Sequence, residues 1–194
     1  MATHSMTGGT TLLLLDIQNG TVEPLMCTEE WLNRLSTVLS TARNNRMNVI
    51  HVVTAFRTNY PENHPNNSSV PGVAARGLFK EGDEAVQVHS SVTPAPTEAI
   101  VTKRRVSAFF GTDLDILLRC SKTEHIVVAG LITSGAVLST VRQAADLDYR
   151  ITILRDLCMD RDEEVHRVLM DKVFNRKHTV VTSDEWLSEQ KLSK

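Results

Sequence analysis

The chain has 194 residues, of which 41% are hydrophobic and 23% charged, enough for one substantial hydrophobic core. Its formal net charge of -2 gives no basic field for nucleic acid, and the basic run at residues 103–105 is too short to follow a phosphate backbone. We therefore predict one domain over residues 1–194, with residues 1–9 flexible, and no nucleic-acid partner.

The cysteines indicate the redox environment in which the protein is expected to work. Cys27, Cys120 and Cys158 are an odd number at wide spacing, which favours reduced thiols over a disulfide framework. The amino-terminal residues lack the charged and apolar regions of a secretory signal, and no apolar run reaches the length of a membrane span. The pattern predicts a cytoplasmic protein with no membrane partner, although secretion without a signal peptide leaves no trace in a sequence.

The first half of the chain alternates strand and helix patterns. Thr10–Leu15 is an apolar run of strand length and is followed by Asp16. Apolar residues recur at helical spacing after Thr28, an N-cap residue type, and residues 48–53 predict a second strand. Residues 54–92 are polar and contain three prolines, and a connection of this length in a compact domain is usually functional or mobile.

The second half continues the alternation. The predicted strands are residues 99–102, 125–130, 150–154 and 179–181, and the predicted helices begin near 112, after 136, at 163 and at 183. Alternation of this kind predicts a mostly parallel sheet covered by helices on both faces. If the strand order is 3-2-1-4-5-6, it reverses between strands one and four, and a ligand is expected beyond their carboxyl ends.

The stretch Ile126–Tyr149 is the centre of the predicted site. An apolar, β-branched run ends at Gly130, and a small-residue turn from Thr133 to Ala136 leads into a helical pattern. A strand that turns sharply into a helix directs backbone N–H groups at one point, which suits an anion or a developing oxyanion. Among the residues of this first helical turn, Ser134 is the candidate nucleophile, and Ala136 is inert.

Two charged residues are expected at the same edge of the sheet. Asp16 ends strand one, where an acid is costly unless it is paired or functional, and Lys103 follows strand three. On the residues alone, Asp16 can equally be a turn or capping aspartate, and Lys103 a solvated member of the basic run. With the turn after Gly130, the two would share one crevice at the point where the strand order reverses.

Three ordered motifs, LLLLDIQN, VTKRRVSAFFGTDL and VVAGLITSGAVLSTVRQAADL, resemble the isochorismatase-like hydrolase family. The resemblance continues through RDEEVHRVL and VVTSDEWL and so spans nearly the whole chain. It implies a three-layer α/β/α, doubly wound fold with a six-stranded parallel sheet in the order 3-2-1-4-5-6. It also implies Asp16 and Lys103 as the catalytic pair, a cis peptide at Leu131-Ile132, and assembly as a homodimer or larger homo-oligomer.

The residue at position 136 distinguishes two reaction mechanisms within the family. Its amidases use a cysteine nucleophile at the position of Ala136, with the aspartate as base and the lysine supporting the transition state. Alanine cannot attack a carbonyl, and none of the three cysteines matches that position. The nicotinamidase-like branch also binds a metal through an aspartate and histidines, but the seven histidines here form no Asp-x-His pair. We therefore predict a hydrolase without a metal or cofactor.

True isochorismatases are the closer resemblance, because they lack the cysteine and carry a glycine in its place. They hydrolyse the vinyl ether of isochorismate to pyruvate and a dihydroxy-cyclohexadiene carboxylate, which needs no acyl enzyme. In the hypothetical mechanism, protonated Asp16 is the general acid on the methylene carbon, water adds to the oxocarbenium, and the hemiketal collapses. Lys103 favours ionised Asp16, whereas burial and the substrate's carboxylates favour the protonated form and must prevail.

A small carboxylate substrate needs cationic or N–H partners. Arg76 matches an arginine that contacts substrate in isochorismatases, Arg57 lies just past strand two, and Gln18 lies two residues from Asp16. Either arginine can equally be a surface residue, and Gln18 a turn-forming amide. The turn after strand four is expected to add further contacts. The predicted substrate-binding residues are Gln18, Arg57, Arg76, Ile132, Gly135 and Ala136.

Departures from the isochorismatase pattern leave other functions open. Phe56 or Arg57 stands where isochorismatases have a glutamine, Ile132 replaces a tyrosine, and Ala136 adds a methyl group to the glycine. One alternative is a catalytically silent member that binds a small carboxylate or a protein partner in the same crevice. The other is an amidase-type hydrolase whose cysteine was replaced by Ala136.

Overall fold

The computed structural model describes residues 9–192 and contains a parallel sheet of six strands. The strands are β1 (Gly9–Leu15), β2 (Asn48–Thr54), β3 (Ala99–Lys103), β4 (Thr123–Leu131), β5 (Arg150–Met159) and β6 (Thr179–Val181). Their order, β3-β2-β1-β4-β5-β6, confirms the predicted order and places its reversal between β1 and β4. Of the amino-terminal segment predicted to be flexible, Gly9 belongs to β1, and residues 1–8 lie outside the described residues.

Helices cover both faces of the sheet. Within residues 9–192 the α-helices are α1 (Asn19–Val22), α2 (Glu29–Asn44), α3 (Val70–Ala75), α4 (Leu114–Cys120), α5 (Leu138–Asp146), α6 (Glu163–Val168) and α7 (Ser183–Leu192). Side chains of α2 and α7 pack on one face of the sheet, and those of α4, α5 and the segment after α6 pack on the other. The result is the predicted three-layer α/β/α arrangement. None of these helices is both long enough and apolar enough to span a lipid bilayer.

The leucine run of β1 follows from this double coverage. Successive side chains of a strand point to opposite faces, so Leu12 and Leu14 pack under α2 and α7, and Leu13 and Leu15 pack under α4 and α5. None of the four is more than 1% exposed. A strand buried on both faces needs a continuous apolar run, and the acid that ends the run is held at the sheet edge.

The predicted start of α2 is confirmed. Thr28 is the N-cap, and its hydroxyl oxygen accepts a hydrogen bond from the Trp31 N–H at 3.2 Å. Glu29 and Glu30 in the first turn complement the positive end of the helix dipole. A cap of this type contributes about 1 kcal/mol to helix stability.

Two elements in the second half differ from their predicted bounds. β5 runs to Met159, beyond the predicted end at residue 154, because its polar residues have partners: Arg155 pairs with Asp171, and Asp156 accepts hydrogen bonds from Ser183. The pairing of β4 with β5 shifts register between Val128 and Gly130, which absorbs the extra residues. The helix predicted to begin at residue 163 is α-helical to Val168 and continues as a π-helical turn over Leu169–Val173.

Residues 55–92 fold over the carboxyl edge of β2. They include α3 and two 3-10 turns, at Glu84–Val86 and Ser90–Val92. Phe56, Tyr60 and Val70 are buried in a small cluster of their own, separate from the two main clusters. The long polar connection predicted from sequence therefore has an apolar interior, and this interior forms one wall of the site described next.

Candidate active site

Asp16 and Lys103 form an ion pair at the carboxyl edge of the sheet. Lys103 Nζ lies 2.9 Å from Asp16 Oδ2, and the two side chains are only 5% and 10% exposed. Asp16 directly follows β1, Lys103 ends β3, and β2 lies between these strands. The structure thus brings together the two residues that the sequence predicted as a catalytic pair, although they are 87 positions apart.

Thr54, the last residue of β2, completes a closed network with this pair. Its hydroxyl donates to Asp16 Oδ1 at 2.9 Å and accepts from Lys103 Nζ at 2.7 Å. Both carboxylate oxygens of Asp16 therefore have a donor. Sequence reasoning missed Thr54, although a hydroxyl residue that ends the strand between two charged strand ends was the available signal.

The backbone around Asp16 is unusual. Asp16 has φ 53, in the left-handed region that aspartate and asparagine tolerate better than most residues. Its N–H donates to the Val52 carbonyl oxygen at 2.8 Å, which ties it to β2. On the other side, a Cβ atom added to Gly130 would lie 2.5 Å from Leu15 O, so β4 approaches β1 here as only a glycine allows.

The turn after β4 forms part of the wall of the site. Leu131-Ile132 is a cis peptide, as the resemblance implied, and Thr133–Val137 forms a π-helical turn. Ala136 is 4% exposed and, like Ile132, lines the cavity above Asp16. The Gly135 N–H donates to the Ile132 carbonyl oxygen at 3.1 Å, and Gly135 is not part of the cavity wall.

A cavity of about 220 Å³ opens beside the Asp16–Thr54–Lys103 network. Most of its wall is apolar and comes from three sources: the 55–92 segment, the loop after β3 and the turn after β4. The apolar residues of the wall are Phe56, Val70, Val73, Phe79, Val106, Leu131, Ile132 and Ala136. Its cations are Lys103, Arg104, Arg105 and Arg161. A cavity of this kind suits a small ligand with an apolar body and an anionic group.

Three other predicted substrate contacts lie outside the cavity wall. Gln18 is fully buried, and its side chain accepts from the Thr54 N–H and donates to the carbonyl oxygens of Thr54 and Ala85. Arg57 is largely exposed and pairs with Glu62 at 2.6 Å. Arg76 caps α3, and its Nε donates to the Gly72 carbonyl oxygen. Each of these side chains is held by the structural partners just named.

Two of the cavity arginines are also engaged. Arg104 forms ion pairs with Glu62, at 2.9 Å, and with Glu81. Arg105 donates to the backbone carbonyl oxygens of Arg104 and Glu62. Burial raises the pKa of Glu62, but its own backbone N–H, Arg57 and Arg104 outweigh burial and leave that pKa below its ordinary value. This network fixes the wall formed by the 55–92 segment against the loop after β3.

The cysteines lie away from the cavity wall. All three are free thiols, and Cys158 is buried, which raises its pKa to about 12. Among residues 9–192 no cluster of three or more histidine, cysteine, aspartate or glutamate side chains has an arrangement that would hold a metal ion. The charged chemistry available at the site is therefore that of Asp16 and Lys103, with the arginines of the wall.

The sheet order and the charged crevice at its reversal define a doubly wound α/β protein with its site at the carboxyl edge. The isochorismatase domain matches residues 10–185, so the chain belongs to the isochorismatase family, whose members are hydrolases.

Three relatives illustrate the breadth of this family. The uncharacterized isochorismatase family protein YddQ of Bacillus subtilis is 25% identical over 170 residues, covering 87% of this chain and 86% of that protein. The ureidoacrylate amidohydrolase RutB of Cronobacter sakazakii is 28% identical over 138 residues, covering 64% of this chain and 59% of that protein. The crystal structure of a cysteine hydrolase from Pseudomonas syringae pv. phaseolicola has a TM-score of 0.86 at 22% identity, covering 95% of this chain and 93% of that one. The last similarity concerns the fold alone.

Proposed function

We propose that this protein hydrolyses the vinyl ether of a small carboxylate, with isochorismate as the first substrate to test. The observation that carries the proposal is the combination of an intact Asp16–Thr54–Lys103 network with alanine at the nucleophile position of the amidases. Vinyl-ether hydrolysis needs an acid and a water molecule but no covalent nucleophile, so Ala136 is compatible with it.

In the proposed reaction, Asp16 donates its proton to the methylene carbon of the enolpyruvyl group, forming a C–H bond and an oxocarbenium ion. Water adds to the cationic carbon and returns one proton to the Asp16 carboxylate. The resulting hemiketal breaks its bond to the ring oxygen as its hydroxyl proton transfers to that oxygen, which releases pyruvate and the ring alcohol. Asp16 must be protonated when substrate is bound.

The deciding experiment is pyruvate release from isochorismate, measured with a coupled assay. Asp16→Asn is the informative variant, because asparagine has the same shape and tolerates the left-handed backbone at this position. Asp148→Asn is the matched control: Asp148 is exposed, also has positive φ (66), and does not line the cavity. We expect Asp16→Asn to lose about 10²- to 10⁴-fold in rate and the control to lose none. Full activity in Asp16→Asn contradicts the assignment.

A second candidate function is amide hydrolysis, which the similarity to a ureidoacrylate amidohydrolase over 64% of the chain favours. Ala136 argues against it as the chain stands. The Ala136→Cys variant tests it directly, with ammonia release from a panel of small amides as the measurement. A gain of turnover would support an amidase ancestry of the site, and no gain would count against it. Absence of both activities leaves a protein that binds a small carboxylate or a protein partner without turnover.

A cytoplasmic location and assembly into a homodimer or larger oligomer also belong to the proposal. The location rests on the free cysteines, and the assembly on the family resemblance. Size-exclusion chromatography with light scattering tests the assembly, and a monomer at micromolar concentration would contradict it.

A further inference from the structure

We propose that Arg161 binds the carboxylate of the substrate at the rim of the cavity and sets the preference of the site for anionic ligands. The inference rests on the proposed function only in taking this cavity as the substrate site. It replaces Arg57 and Arg76, which the structure places outside the cavity wall.

The first argument is the availability of the cations in the wall. Lys103 is held by Asp16 and Thr54, Arg104 by two glutamates, and Arg105 by two backbone carbonyl oxygens. The guanidinium of Arg161, by contrast, has no hydrogen bond or ion pair with any of residues 9–192. An anion that binds Arg161 therefore displaces only water, whereas binding to Arg104 would require breaking an ion pair.

The second argument is the sign of the charge around the cavity. Asp16 is the only acid among the described residues of its wall, and four cations line it. Asp16 is 7% exposed, whereas Arg161 is exposed, so the acid lies at the base and the arginine at the rim. A substrate whose carboxylate meets Arg161 would extend its other end along the apolar wall toward Asp16.

The third argument is that the backbone of Arg161 is held in place. The Arg161 N–H donates to Asp160 Oδ1 at 2.9 Å, and the Ser134 N–H donates to Asp160 Oδ2 at 2.6 Å. Asp160 thereby fastens the residues just after β5 to the turn after β4, next to Ile132 and Ala136. The guanidinium, a planar fork that stays charged at all working pH values, is presented on a fixed base and can bind a carboxylate through two parallel hydrogen bonds.

The test compares two ligands of the same shape and different charge, benzoate and benzamide, in calorimetric titrations of the full-length protein. Each consists of a phenyl ring with one substituent, which is a carboxylate in benzoate and a neutral carboxamide in benzamide. We expect Arg161→Gln to weaken benzoate binding by about tenfold to a hundredfold and to leave benzamide binding within twofold. Arg161→Lys should recover part of the benzoate affinity, because lysine keeps the charge but not the fork.

Arg176→Gln is the matched control, since Arg176 is also an exposed arginine but lines a different cleft. It should bind benzoate as the wild-type protein does. Unchanged benzoate affinity in Arg161→Gln, an equal loss for benzamide, or no saturable binding of benzoate to the wild-type protein would each overturn the inference.

Turnover separates this inference from the proposed function. If isochorismate is hydrolysed, Arg161→Gln should raise KM by the same factor with kcat nearly unchanged, as expected for a group that binds ground state and transition state alike. If pyruvate is not released but benzoate binding still depends on Arg161, the ether-hydrolysis proposal fails and the anion site stands. If pyruvate is released but KM is unchanged in Arg161→Gln, the ether-hydrolysis proposal stands and the anion site at Arg161 fails.

Discussion

Thr54 connects the two charged groups of the site through one hydroxyl, and its removal is a test at the scale of a single residue. Thr54→Val keeps the shape but deletes the donor to Asp16 and the acceptor for Lys103. We expect kcat to fall by about tenfold to a hundredfold, the loss corresponding to one hydrogen bond to a charged group.

Thr54→Ser separates a positioning role from a packing role. Serine keeps the hydroxyl and loses a methyl group, so it should restore most of kcat even if it lowers the melting temperature. The measurement is kcat and KM for both variants, together with thermal unfolding. A valine variant with the kcat of the wild-type protein, or a serine variant as slow as the valine one, would show that the hydroxyl does not orient the pair.

Single residues were predicted from sequence only in part. Asp16 and Lys103 were identifiable because each charge directly follows or ends an apolar run and because the motifs around them match a family. Gln18 was predicted as a substrate contact from its chain proximity to Asp16, which does not fix the direction of a side chain. In the structure its amide turns to the backbone of Thr54 and Ala85. Arg161 lies in a polar stretch whose approach to the cavity depends on the full length of β5.

At the scale of elements, the contact of β4 with β1 gives the sharpest prediction. In Gly130→Ala the new methyl group would lie 2.5 Å from both Leu15 Cβ and Leu15 O, so one strand must shift. We expect a loss of about 3 kcal/mol in the free energy of unfolding, measured by urea titration. Because Leu15 precedes Asp16, the same shift should also reduce activity.

The control for this variant is Gly72→Ala in α3. Apart from its chain neighbours and the backbone of its own helix, a Cβ atom there would meet no heavy atom within 4 Å, and alanine favours the helix over glycine by about 0.5–1 kcal/mol. The two substitutions are chemically identical and should have opposite signs. If Gly130→Ala and the wild-type protein have the same free energy of unfolding, the close contact between β4 and β1 does not constrain this position, and the prediction is wrong.

Elements were predicted where local chemistry decides them. Thr28 marked the start of α2 because its hydroxyl caps the helix in the structure as well. The end of β5 was placed too early because Arg155 and Asp156 interrupt the apolar run, and only their distant partners, Asp171 and Ser183, make the continuation favourable. The apolar residues of 55–92 show no clear helical or strand spacing, because their buried cluster is formed by short segments rather than by one amphipathic element.

At the scale of the whole molecule, Glu98 links α2, β2 and the approach to β3. Its carboxylate forms an ion pair with Arg43 at 2.7 Å, and its Oε2 is hydrogen-bonded to His51 Nε2 at 3.1 Å. Burial raises the pKa of Glu98, but Arg43, the Ala95 N–H and His51 together lower it to about 2 from the ordinary 4.5. A carboxylate with a depressed pKa stabilises the folded state above pH 4.5, and this contribution is lost as the pH falls from 4.5 toward 2.

The expected contribution of Glu98 to the free energy of unfolding at neutral pH is at most about 3 kcal/mol. Urea unfolding at pH 6 and pH 3 should show the wild-type protein losing more stability between the two than Glu98→Gln, so that the proteins become more alike in acid. Glu124→Gln, at an exposed glutamate of β4, is the control and should follow the wild-type curve. A wild-type difference between pH 6 and pH 3 no larger than that of Glu98→Gln would contradict the assignment.

The buried cluster of Phe56, Tyr60 and Val70 has a consequence for engineering. Asp16 directly follows β1 and Lys103 ends β3, whereas much of the cavity wall belongs to residues 55–92, which have a hydrophobic interior of their own. The Asp16–Lys103 ion pair and much of the apolar wall thus belong to different segments of the chain. Grafting residues 56–79 from another family member onto this scaffold should therefore change the shape of the cavity while Asp16, Lys103 and Arg161 are retained.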